Sequence, residues 1–203
     1  GANEWVNAIA GTGTLTLPAG LGGGAPSQVV FWVMNDDTYI YVALRFPFGS
    51  SPTAPAFIGL GTVASAAGLD PCLGQTLADD FGIYSQDNLA ARADNHYSSD
   101  CGKVRPDTNN AGFLDTLGTW AISLSSTFFE MQHPLDNGDD ANDISLPAPN
   151  RMQASFYAGG CDETLNCGQP AILSRRVFLM TSNTIFFDDF ESGDTSFWFV
   201  PAP

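Results

Sequence analysis

Positive charge is what this chain has least of. Lys103 is the only lysine, and lysine and arginine together number 7 against 22 acidic residues, a formal net charge of −15. A chain this acidic cannot neutralise nucleic-acid phosphates, and anionic membrane surfaces repel it. Long apolar runs are missing too. No stretch approaches the ~18 residues that span a bilayer, so no membrane span is expected. Histidine is limited to His96 and His133, too few and too far apart to suggest zinc. There is no G-x-S-x-G elbow and no H-E-x-x-H helix. Two carboxylates suffice for a glycosidase, but among 22 acids any pair would be chosen arbitrarily. No catalytic residue is assigned, and binding or assembly is expected rather than an enzyme.

Cysteine is sparse but even in number. Cys72, Cys101, Cys161 and Cys167 make no C-x-x-C metal pattern. They read as two disulfides, a local one enclosing Asp162 to Asn166 and a longer Cys72–Cys101 loop, with four buried thiols as the other reading. Disulfides place the chain in an oxidising, extracellular compartment. The start at Gly1 without Met is the expectation for a mature, secreted form.

What the chain does hold is Asp, Gly, Pro and aromatic residues. Of the acids, 18 are Asp and only 4 are Glu, and Asp belongs to turns and loops more than to helices. The 21 Gly and 13 Pro interrupt any long helical period. Aromatic residues at 12% and hydrophobic residues at 44% are enough for a folded core.

Strand signals recur along the sequence. Residues 12–17 alternate. An apolar run at 28–34 ends in Asn35-Asp36-Asp37, a hairpin-turn signal, and a strand follows over 38–46. There Ile40, Val42, Leu44 and Phe46 fall on one face, and Tyr39, Tyr41, Ala43 and Arg45 on the other, the period of a half-buried strand. Further strands are expected within 56–69 (with one short helical turn) and at 80–85, 118–124, 127–133, 151–157, 171–180 and 184–187. Residues 86–112 read as a long polar loop. The pattern predicts an all-β antiparallel β-sandwich, jelly-roll-like, with long polar loops and little helix. One domain spans 1–183, and 184–203 is an aromatic tail or added strand.

The densest acidic constellation holds Asp136, Asp139, Asp140 and Asp143 around Gly138. Unpaired carboxylates cannot enter a core, so this loop is either fully solvated or converges on a hard cation such as calcium. It is not an EF-hand, since the terminal Glu and flanking helices are missing. Asp87 in the polar segment could add a ligand to a second calcium site. Tyr39 and Tyr41 share the polar strand face and are candidates for stacking on a sugar, unless another layer or subunit covers them.

Several segments together resemble family 9-like carbohydrate-binding modules and DOMON-type sandwiches. They are Gly1-Ala-Asn-Glu-Trp-Val-Asn-Ala, the acidic turn and Tyr-Val-Ala strand of 36–44, Asp79 to Asn88, and Phe129-Glu130 through His133-Pro134-Leu135 into the acidic turn. That resemblance covers roughly residues 1–180 and implies a jelly-roll-like sandwich that commonly holds calcium and binds glycans or small ligands. Neither the paired sugar-clamping Trp nor the haem-ligating Met/His pair of those families is identifiable. The segment Ile185 to Trp198 is similar to an FESGD-type tail of secreted bacterial proteins. Its Phe186, Phe187, Phe190 and Trp198 are too apolar to stand exposed and are expected to pack on their own domain or a neighbour. The sequence therefore predicts a secreted, calcium-stabilised module for a glycan or other surface ligand. The other reading is a subunit that binds copies of itself by strand addition into a filament or surface layer.

Overall fold

The outer residues of each β-hairpin set the register of the whole molecule. The computed structural model describes residues 5–16, 25–47, 56–62, 79–86, 89–97, 104–106, 112–138, 146, 148–158, 171–179 and 181. Among them lie eleven strands and no helix: β1 (Ile9–Thr16), β2 (Pro26–Asn35), β3 (Tyr39–Phe46), β4 (Ala56–Thr62), β5 (Asp79–Gln86), β6 (Leu89–Tyr97), β7 (Val104–Pro106), β8 (Leu117–Ser123), β9 (Ser126–Pro134), β10 (Asn150–Ala158) and β11 (Ala171–Leu179).

These form two antiparallel sheets, a five-stranded one ordered β1-β2-β3-β9-β8 and a six-stranded one ordered β11-β10-β4-β5-β6-β7. At one side β11 approaches β1 and β2, and at the other β5 and β6 approach β8 and β9. The sheets therefore stack as a sandwich, the arrangement that lets each bury one face.

The expected alternation in β3 is the key to the core. Ile40, Val42, Leu44 and Phe46 are all buried. Val29, Phe31 and Val33 of β2 and Phe129 and Met131 of β9 are buried beside them, because cross-strand partners share a face. Phe46 meets Phe129 edge to face, with ring centroids 5.6 Å apart, a geometry worth about 0.5–1.5 kcal/mol beyond area burial. On β1, Gly11 stands opposite Phe31. A Cβ there would lie 2.3 Å from the ring, so the edge strand closes down on the core only because that side chain is missing.

One expectation is corrected. Residues 86–112 are not one long loop. Gln86 pairs with Leu89, which leaves two residues between β5 and β6, and β6 then runs along β5 through Asp94, with Asn95 and His96 between β5 and β7. Its Ala, Asn and Asp residues are poor strand formers, and pairing with β5, joined by β7 from Asn95 to Tyr97, supplies what propensity does not. Of the stretch 56–69, expected to hold a strand and one short helical turn, residues 56–62 are β4; residues 63–69, the strand at 184–187 and the boundary at 183/184 lie outside the described residues.

Candidate binding face

The face of the five-stranded sheet that turns away from the second sheet is built by the same alternation that builds the core. In register across it stand Trp32 and Ala43, Met34 and Tyr41, then Tyr41 and Gln132, Ala43 and Glu130, and beyond them Leu117 and Thr119 of β8. Val30 and Ala43 near its centre are buried. Around them lies a ring of half-exposed aromatic and polar groups.

Tyr39 and Tyr41, two residues apart on one strand, place their ring centroids 6.2 Å apart at a tilt of 55°. The guanidinium of Arg45 sits 5.9 Å from the Trp32 ring centroid, a cation–π contact. From ahead of β1, the Trp5 Nε1–H donates to Glu130 Oε1 at 3.3 Å. The chain before β1 thus folds back over this face as far as β9.

Asp36 fixes the end of the face. Its Oδ1 accepts the N–H groups of Thr38 and Tyr39, each at 2.7 Å, and its Oδ2 accepts the Tyr41 hydroxyl at 2.7 Å. Asn35-Asp36-Asp37 is therefore the hairpin turn its sequence suggested, closed by a side chain that mimics backbone. Partial desolvation pushes the Asp36 carboxyl up, but the bonds from Tyr41, Tyr39 and Thr38 outweigh it and hold the group below its ordinary 3.8. The hydrogen bond to Asp36, with desolvation and the neighbouring charges adding to it, raises the Tyr41 hydroxyl to about 12.

The acidic loop rises from the same end of the sheet. Leu135 N–H donates to Thr38 O and Leu146 N–H to Leu135 O, both at 2.7 Å, and Leu135 and Leu146 are buried. The loop is thus tied to the Asp36 turn and closed at its neck. Within it Asp136 is exposed and its Oδ1 accepts the Gly138 N–H at 2.9 Å. Gly138 has φ 77°, the left-handed region that glycine enters without strain. Asn137 Nδ2 donates to Asp115 Oδ2 at 2.7 Å, and the other Asp115 oxygen lies 3.3 Å from Nε2 of the buried His133. His133 Nδ1 faces the Pro134 carbonyl at 2.7 Å, so Nδ1 carries the proton. His133 is thus packed and hydrogen-bonded at the end of β9.

A comparison with protein-family models finds no match, and neither does a comparison with curated proteins. Among solved structures the chain is similar to a family 9 carbohydrate-binding module from Caldicellulosiruptor kristjanssonii. In its glucose complex the two share 13% identity over 90% of each chain, with a TM-score of 0.47. In its cellotriose complex they share 13% identity over 92% of this chain and 91% of that one, with a TM-score of 0.46. At that distance, the function of the face has to be read from this chain's own residues.

Of the residues expected to act, Tyr39 and Tyr41 are side by side, and Asp136 lies at the neck of the acidic loop beyond Leu135. Among the described residues no three acidic, His or Cys side chains converge as a metal site. Asp139, Asp140, Asp143, Asp87, the four cysteines, and Phe186, Phe187, Phe190 and Trp198 lie outside the described residues. The sequence did not single out Asp36 as a clamp on Tyr41, nor the Trp32–Arg45 and Trp5–Glu130 contacts. The Asp36–Tyr41 bond is local to the turn and the Trp32–Arg45 contact follows from the β2–β3 register, whereas Trp5 and Glu130 are 125 residues apart and nothing local to either announces their meeting.

Proposed function

We propose that the chain is a secreted, non-catalytic carbohydrate-binding module that takes a glycan on the outer face of its five-stranded sheet. The observation that carries this reading is the Tyr39–Tyr41 pair, set on a strand that also carries Arg45 and whose neighbour β9 offers Gln132 and Glu130. Aromatic faces suit the apolar C–H faces of sugar rings, and amide, carboxylate and guanidinium groups suit the hydroxyl rim. A net charge of −15 favours a neutral glycan over an anionic one. Because Asp36 holds the Tyr41 hydroxyl, Tyr41 is a fixed platform and binding freezes little side-chain freedom.

The acidic loop is proposed to bind calcium through Asp136, Asp139, Asp140 and Asp143. The support is composition together with the closed Leu135–Leu146 neck, since oxygen-rich loops with fixed ends suit that ion. Calorimetric titration against a panel of neutral oligosaccharides tests the glycan reading. Binding that Tyr39→Ala abolishes and Tyr41→Phe leaves in place is expected. Silence of the native chain across the panel would sink it. For calcium, the melting temperature should rise with the ion and fall with a chelator, and identical melting curves would remove the ion from the account.

A further inference from the structure

The two sheets treat their edges differently. The edge strands of the six-stranded sheet carry Arg105 and Pro106 on β7 and Arg175 and Arg176 on β11, the residues that discourage edge pairing. At one edge of the five-stranded sheet, opposite the β1 edge, β8 reads Leu-Gly-Thr-Trp-Ala-Ile-Ser, with no charge and no proline. Among the described residues it pairs with β9 alone, and nearly its whole length is exposed. Among the described residues, no backbone hydrogen bond is made from its free side. Leu117 and Ile122 are 47% and 45% exposed, and Leu124 at the following turn is fully exposed.

We propose that β8 is a self-association edge, where a second copy of this chain adds its own β8 antiparallel across a twofold axis through Trp120. Two features choose this occupant. The run 116–129 is uncharged in a chain of net charge −15, and two acidic copies can approach only where neither presents carboxylates. The strand is also complementary to its own reverse. About Trp120, which faces its own copy at the axis, Leu117 faces Ser123 of the second copy, Gly118 faces Ile122, and Thr119 faces Ala121, so in these three pairings the larger side chain meets a smaller one. Parity is kept as well. Leu117, Thr119, Ala121 and Ser123 lie on the outer face in both copies, and the result is one continuous ten-stranded sheet. Such isologous contacts close after two copies. Both outer faces then point the same way, whatever they bind.

Thr119→Lys and Ala121→Lys test this, each at an exposed position. Thr119 stands opposite Glu130, which accommodates a lysine in the single chain. Sedimentation across a dilution series should give twice the monomer mass for the native chain and the monomer mass for both variants, with unchanged circular dichroism. A native chain that stays monomeric at every concentration overturns the proposal. So does an assembly of any size that both lysine variants leave intact. If the variants do not fold, amide exchange on the native chain decides. Protection of β8 amides that rises with concentration supports the pairing, and protection that ignores concentration overturns it.

Discussion

The Tyr41 hydroxyl donates to Asp36 Oδ2 at 2.7 Å, so a turn residue and a strand residue five positions apart hold each other in place. Each makes the other's titration part of the fold. Asp36 titrates below its ordinary value, so its contribution to stability is complete above about pH 4 and is lost as pH falls through the folded value. Tyr41 titrates near 12 against an ordinary 10.0. Its contribution is therefore complete below 10 and is lost as pH rises towards 12. Alkaline titration of tyrosinate absorbance should show a late tyrosine in the native chain that Tyr41→Phe removes. The same variant should begin acid unfolding at a higher pH, because Asp36 loses a bond that favours its charged form.

Gly11→Ala is expected to destabilise the sandwich by about 1–3 kcal/mol through overpacking, since the added Cβ meets Phe31 Cζ at 2.3 Å. In a Phe31→Leu background the same change should cost measurably less. Denaturant melts of the four-member cycle check this, and an additive cycle would mean that the ring is not the obstacle.

Phe129→Ala removes a fully buried ring that meets Phe46 and should cost about 3–5 kcal/mol. Leu124→Ala, at a fully exposed turn residue, should stay within about 0.5 kcal/mol. Chemical denaturation of both separates core from edge.

Leu146→Ala is expected to cost about 2–5 kcal/mol and to speed limited proteolysis between Leu135 and Leu146, because a fully buried side chain anchors the neck. Unchanged cleavage would mean that the backbone bonds hold the loop unaided.

Much of this architecture could be read from residues alone, and where it could not, the reasons are physical. The alternation of Ile40, Val42, Leu44 and Phe46 gave β3, its inner face and the hairpin with β2. The turn at Asp36 was legible because Asn and Asp have local side-chain chemistry. β6 was not legible, since Ala90, Arg92 and Asp94 become strand residues only through pairing with β5, and Asn95 and His96 only between β5 and β7. The Trp5–Glu130 bond joins residues 125 apart, and periodicity says nothing about which distant strands meet. Tyr39 and Tyr41 were recognisable as a pair, but the Gln132 and Pro134 that border them required the β3–β9 register.

The bond from Leu146 N–H to Leu135 O also says something about how this chain can change. A loop whose two ends are already held together gains little entropic penalty as it lengthens, about 0.6 kcal/mol for each doubling. Residues 136–145 are therefore an exchangeable cassette. Insertions between those two leucines are expected to leave the sheets beneath in register.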